Sequence, residues 1–209
     1  MGEILVDLFA EDSAQEAFLR AMVTRISLEE KLSVRPRPRT ARGGHGKVLA
    51  ELDLYMEILE RSASPVGDPP PDLLVVTIDA NCKKAAAARS DVLNHIMDAY
   101  RHITVVACPD PHVERWYMAD PVSFQQVVGR QPVLGRRKCK RNYYKNKLAA
   151  VITDAGYPPT LSGTEFALKL VMQMDLYRAG KNEPSLGAFV EDLRTALRRL
   201  APLRQDTVI

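Results

Sequence analysis

Residues Asp72-Leu-Leu-Val-Val-Thr-Ile78 form the most hydrophobic stretch of the chain, an almost unbroken apolar run bounded by turn-forming residues. A strand without polar alternation is stable only where both faces of its sheet are covered, so this segment demands a central parallel strand with helices packed above and below it. Two further runs fit neighbouring strands. Glu3-Ile-Leu-Val-Asp-Leu-Phe-Ala10 opens the chain, and Ile103-Thr-Val-Val-Ala-Cys108 follows the central strand. The opening run carries an acid and lacks the basic start and cleavage site of a secretory leader, so it reads as the first strand.

Helical periodicity fills the gaps. Phe18, Leu19, Met22 and Ile26 share one face, as do Val48, Leu49, Leu52, Tyr55, Met56 and Leu59. The Ala-rich stretch from Ala85 to Tyr100 predicts a third helix, with Val92, Leu93, Ile96 and Met97 on one side. Residues 32 to 39 carry two prolines and predict an edge strand or an extended loop. Strands alternating with helices imply an open parallel α/β sheet with helices on both faces. In the last third, Thr164 to Ala179, stopped at Gly180, and Ser185 to Leu200 predict a helical hairpin. Phe166, Leu170, Met174 and Tyr177 fall on one stripe of the first of these helices. Ser62 to Pro71 reads as a surface connection, because too little chain precedes it for an independent core. The expected organisation is an α/β domain over residues 1–125, with a basic segment and helical extension over 126–209 packed on the same domain.

At 209 residues, with 46% hydrophobic and 26% charged residues, the chain can bury a core without staples. No apolar run approaches the roughly 18 to 20 residues of a membrane span, so no membrane partner is expected. Cys82, Cys108 and Cys139 are odd in number and have no close spacing, which argues against a disulfide framework and a structural zinc site and favours a reducing cytoplasm. Net charge is only +3, but it is unevenly spread. From Arg130 to Lys147 there are eight Lys or Arg and no acid, and Arg35, Arg37, Arg39, Arg42 and Lys47 form a second basic stretch. Such runs serve equally as solvated loops or as phosphate-contacting surfaces.

Ligands of open parallel sheets gather beyond the carboxyl ends of the strands. Three of those ends are acidic here: Glu11-Asp12, Asp79 with Asn81, and the Pro109-Asp-Pro-His112-Val-Glu114 segment. Converging carboxylates repel unless a cation lies between them, and oxygen ligands suit Mg²⁺ or Mn²⁺. Asp12, Ser13 and Asp110 read first as helix caps, whereas Glu11 and Asp79 read as functional groups. Trp116 reads as a packing residue and His112 as a turn residue, with assistance to a leaving group as its alternative.

Phe9-Ala-Glu11-Asp12 with the later Phe18-Leu19 resembles the glutamate motif of Toprim-like proteins, and Val75-Val-Thr-Ile-Asp79-Ala-Asn81 resembles their Asp-x-Asp motif. Pro111-His-Val-Glu114-Arg-Trp116 through Asp120, and the helix opening at Pro184-Ser185, are similar to elements of small bacterial Toprim-like families tied to phage defence and mobile elements. Two positions depart from that pattern. Asp12 stands where glycine is common, and Asn81 replaces the second acid, offering a neutral oxygen but no charge and no base. The resemblance implies a Toprim-like fold and metal-dependent phosphodiester cleavage of DNA or RNA beside an ATPase partner. In that reading Glu11, Asp79 and Glu114 are catalytic, and Glu11, Asp79 and Asn81 hold Mg²⁺ or Mn²⁺. Arg136, Arg137, Lys138, Lys140, Arg141, Lys145 and Lys147 would contact nucleic acid, with Tyr143 and Tyr144 placed to stack on bases. The alternatives are a catalytically inactive nucleic-acid-binding or regulatory module of the same fold, or action on another phosphate substrate such as a nucleotide.

Overall fold

The computed structural model describes residues 3–39, 45–61, 69–135 and 137–205. Four strands, β1 (Ile4–Phe9), β2 (Val34–Pro38), β3 (Leu73–Thr77) and β4 (Thr104–Ala107), form one sheet in the order β2-β1-β3-β4. All pairings are parallel. The apolar run thus supplies an inner strand, β3, every residue of which is buried. The proline-bearing segment is an edge strand, where missing N–H groups do least harm.

Helix α1 (Ser13–Glu29) carries the chain from β1 outward to β2, and α2 (His45–Arg61) carries it back across β1 to β3. Crossovers of one hand that run in opposite directions must lie on opposite faces. The core divides accordingly. On one face Ile4, Val6, Leu8 and Val75 pack against Phe18, Met22 and Ile26 of α1. On the other Phe9, Leu74, Val76 and Val106 pack against Val48, Leu52 and Met56 of α2, with Val92 of α3 (Ala85–Asn94). A short α4 (Asp98–Arg101) precedes β4, so the single helix expected from Ala85 to Tyr100 is broken.

After β4 come α5 (Val113–Tyr117), α6 (Pro121–Val128), α7 (Tyr143–Asp154), a 3₁₀ turn (Thr164–Phe166), α8 (Ala167–Gln173), α9 (Leu176–Asn182) and α10 (Pro184–Gln205). Their buried residues join the α1 face, from Trp116 through Leu148 to Leu197, so residues beyond 126 share the core of the sheet. Trp116 is fully buried, stacks on Phe189 and donates to Ser185 Oγ at 3.0 Å.

Periodicity did not reveal α6 and α7, and it fused the 3₁₀ turn, α8 and α9 into one helix. The fusion fails because Met174 turns extended, the carbonyls of Val171 and Met174 accept from Arg25 of α1, and Asp175 caps a new helix by accepting from Arg178 N–H. Tyr177 accordingly leaves the buried stripe of Phe166, Leu170 and Met174 and is 76% exposed. Gly180 is no stop either. It lies inside α9, where its Cα faces Gly187 of α10 so closely that a Cβ would meet that atom at 3.0 Å. Among the described residues, no helix is long and apolar enough to cross a membrane.

The second basic stretch has a structural task. Asp7, on an inner strand and 1% exposed, accepts from Tyr55 of α2 and from Arg37 Nε at 2.5 Å, with Arg39 Nε at 3.4 Å. Arg37 and Arg39 therefore neutralise a buried acid at the β2 edge. Arg42 lies outside the described residues.

Candidate metal and phosphate site

Strand order reverses between β1 and β3: from β1 the chain goes out to β2 on one side and returns to β3 on the other. A crevice opens beyond the carboxyl ends of the strands at such a switch point. Register brings the three acidic strand ends to the same edge, with Phe9 beside Val76 and Thr77 beside Ala107. Backbone bonds then join the loops after β3 and β4: Ala80 N–H to Pro109 O at 2.9 Å and Asn81 N–H to Pro111 O at 3.0 Å.

The resulting cleft, about 440 Å³, is walled by Glu11, Asp12, Asp79, Asn81, His112 and Glu114. All four candidate acid and amide ligands therefore face one space. Glu11 follows β1 by two residues, and its N–H donates to Gln15 Oε1 at 3.0 Å. Asp12 caps α1, Oδ1 accepting from Gln15 N–H at 2.9 Å, as its cap reading expects. Asp79 is more constrained. Its Oδ1 accepts from Val113 N–H at 3.1 Å and its Oδ2 pairs with His112 Nδ1 at 3.0 Å, leaving the side chain 13% exposed. Asn81 adopts φ 51°, a left-handed conformation that asparagine tolerates, and its Nδ2 donates to Asp79 O at 3.2 Å.

The electrostatics are set first by burial and then by neighbouring acids. Burial raises the Asp79 pKa, the His112 pair opposes this without cancelling it, and Asp12 adds to the rise. Glu114 is raised by burial and then by Asp79 and Asp12, against its own backbone N–H and His112. The hydrogen bond to Asp79 raises His112, with Glu114 and Glu11 pulling the same way against burial. Gln15 is fully buried, and its Nε2 has no hydrogen-bond partner. It lies close enough to Asp79 to favour the charged carboxylate, yet outside bonding geometry. Among the described residues, no three His, Cys, Asp or Glu side chains are grouped to hold one metal ion.

Two findings correct the sequence reading at this edge. His112 is no exposed turn residue: its side chain is 17% exposed and held by Asp79. Only the fold places it there, since the two lie 33 residues apart. Cys82 and Cys139 form a disulfide across a separation of 57 residues, against the expectation that none pair, leaving Cys108 free and buried. No spacing rule announces a bond between a strand-end loop and a distant basic segment.

The basic run divides by position. Arg141 and Lys145 reach the acidic cleft, whereas Arg137 and Lys138 line a neighbouring pocket of about 660 Å³. Lys138 pairs with Asp110 at 2.7 Å. Lys140 and Lys147 lie over the Tyr143 ring, 5.6 and 6.0 Å from its centre. Arg136 lies outside the described residues. Tyr144 is fully buried and bridges Arg137 N–H and Gly135 O with its hydroxyl, so it offers no face to a base. Glu183 and Arg115 pair on the wall of the neighbouring pocket. No protein-family model, curated protein or solved structure matches this chain.

Proposed function

We propose that this protein is a Mg²⁺- or Mn²⁺-dependent phosphodiesterase of Toprim-like type that cleaves DNA or RNA. The observation that carries the reading is the switch-point cleft, where Glu11, Asp79, Asn81 and Glu114 converge with Arg141 and Lys145 beside them. An acid floor with a cationic rim is what a site needs to hold a hard cation and the phosphate it acts on.

The residues suit that cation in chemistry, without forming a ready-made cage. Every candidate ligand is an oxygen donor, and Asp79 and Glu114, raised first by burial and further by neighbouring acids, are carboxyl groups whose charged form a cation would favour. Mg²⁺ keeps several waters and needs only one or two direct carboxylates, so a pair from Glu11 and Asp79, with the Asn81 oxygen, is a sufficient protein contribution. Bound there, the cation would polarise a phosphoryl oxygen and offset charge on the attacking and leaving oxygens. Glu114, with its pKa raised, is suited to align a water and accept its proton. Arg141 and Lys145 orient the phosphate, and Gln15 keeps the Glu11 loop in place. The resemblance of the motifs adds a subunit role in a bacterial defence or mobile-element system beside an ATPase.

A catalytically silent nucleic-acid-binding module is the second reading, favoured by Asn81 at the second acid position and by the absence of three grouped ligands among the described residues. Plasmid nicking with Mg²⁺ or Mn²⁺ separates the two. The enzyme reading expects Glu11→Ala and Asp79→Ala each to lower nicking by more than roughly a hundredfold. Equal residual nicking in parent and variants removes it, and retained oligonucleotide binding then selects the silent module.

A further inference from the structure

The Cys82–Cys139 disulfide is placed at the acidic cleft itself, and both cysteines line it. Cys82 directly follows Asn81, and Cys139 precedes Arg141 by two residues. The bond therefore fastens the segment that carries the rim cations to the loop that carries the Asp79 side of the site. Residues 131–135 and 137–142 have no helix or strand, and Cys139 holds a φ of 64°, a left-handed conformation uncommon for residues other than glycine, asparagine and aspartate. Other ties among the described residues are the Tyr144 hydroxyl to Arg137 N–H and Gly135 O, the packing of Leu134 on the core, and the half-exposed Lys138–Asp110 ion pair, of a kind that contributes little in water.

Both half-cystines are exposed, so either sulfur is open to attack by a thiolate. Cys108 is not a competitor: it is buried on the α2 face of the sheet, and burial pushes its thiol up to about 12. In a reducing compartment, exposed disulfides of this kind are transient and serve as sensors rather than staples.

We propose that Cys82–Cys139 is a reversible clasp: oxidised, it holds Arg141 and Lys145 at the acidic cleft; reduced, it frees the basic segment and weakens the cleft's grip on a phosphate-bearing ligand. The reductant is a dithiol. One thiolate of the reductant attacks a cysteine sulfur and expels the other as thiolate, and its second thiol then displaces the first cysteine. Two electrons pass to the protein, which gains two thiols, while the reductant becomes a disulfide. The ligand's identity as nucleic acid rests on the function proposed above, whereas the clasp itself does not.

The full chain, oxidised with a glutathione disulfide buffer or reduced with dithiothreitol, tests this. Maleimide labelling after denaturation is expected to count one free thiol in the oxidised protein and three in the reduced one. Trypsin cleavage after Lys138, Lys140 or Arg141 is expected to accelerate about fivefold or more on reduction, because cleavage follows the population of the open segment. In EDTA, the Kd for a fluorescent oligonucleotide is expected to rise about fivefold with the loss of two held phosphate contacts. Cys82→Ser and Cys139→Ser should each fix the reduced behaviour, and Cys108→Ser should keep the response. Three thiols in the oxidised protein, or equal trypsin cleavage in both states, overturns the clasp. Redox-dependent cleavage without oligonucleotide binding in either state upholds the clasp and removes the nucleic-acid reading.

Discussion

Asp79 and His112 are locked together at the switch point: Oδ2 pairs with Nδ1 at 3.0 Å while Oδ1 caps α5 through Val113 N–H at 3.1 Å. One carboxylate thus ties the end of β3 to the helix that follows β4, and a divalent cation would have to share it with both partners.

That sharing gives the protein a pH signature. Asp79, Glu114 and His112 all have folded pKa values above their ordinary ones. A raised folded pKa contributes stability that is complete below the unfolded value and is lost as pH rises through the folded value. The apo protein should therefore lose stability as pH climbs from the ordinary carboxylate range, about 4, and again above the ordinary histidine value of about 6.5. Urea midpoints measured across that range in EDTA check the slope. Mn²⁺ at neutral pH should restore the lost stability, because it neutralises the same acids. A flat profile with no Mn²⁺ effect contradicts this account of the cleft.

Gln15 offers a graded probe. Its Nε2 is a buried donor without a partner, and its Oε1 holds the Glu11 N–H. Gln15→Glu keeps an acceptor for that N–H but adds a charge beside Asp79. The apo protein should lose roughly 1–3 kcal/mol, the cost of desolvating a further ionised group that gains no new donor. Calorimetric titration should show tighter Mn²⁺ binding than in the parent. Gln15→Leu strands the Glu11 N–H and should loosen Mn²⁺ roughly tenfold, as loss of an orienting partner does.

Asp120 carries the opposite shift. Burial raises its pKa, but hydrogen bonds from the Arg178 guanidinium and from Asp175 N–H outweigh that and hold the carboxyl well below the usual range. Its contribution is present above the unfolded carboxylate pKa and is lost only as pH falls through the depressed folded value. Asp120→Ala removes the acceptor for Asp175 N–H at 2.9 Å and Arg178 Nε at 2.6 Å. A urea midpoint should register a loss of about 2 kcal/mol at pH 7, shrinking in strong acid.

The crossing of α9 and α10 depends on Gly180 and Gly187. A Cβ at Gly187 would come within 3.1 Å of Gly180 Cα and 3.4 Å of its carbonyl oxygen, both backbone atoms unable to swing aside. Valine matches or exceeds glycine in helix propensity, so Gly187→Val should be neutral or better in an unpacked helix. Here it should cost roughly 1–3 kcal/mol of overpacking strain, read from the urea midpoint.

Fold class was legible because it depends on local pattern. The apolar run from Leu73 to Thr77 requires two covered faces, and prolines 36 and 38 confine their strand to an edge. The acids after β1 and β3 were legible for a related reason: a parallel sheet sends every strand end to the same side. Where helix ends are decided by distant partners, periodicity misled. Arg25 closes α8 from another helix, and the Gly180–Gly187 contact keeps α9 going past a residue that ordinarily stops one.

The sequence by itself determined the strand–helix alternation, the inner position of β3 and the acidic character of the strand ends, because side-chain burial and turn chemistry act over a few residues. Only the tertiary structure decided that His112 grips Asp79, that Arg37 and Arg39 answer Asp7, and that Cys82 meets Cys139 beside the cleft. Those pairings span 30 to 57 residues, and no local preference encodes a partner that far along the chain until the sheet order has brought the two together.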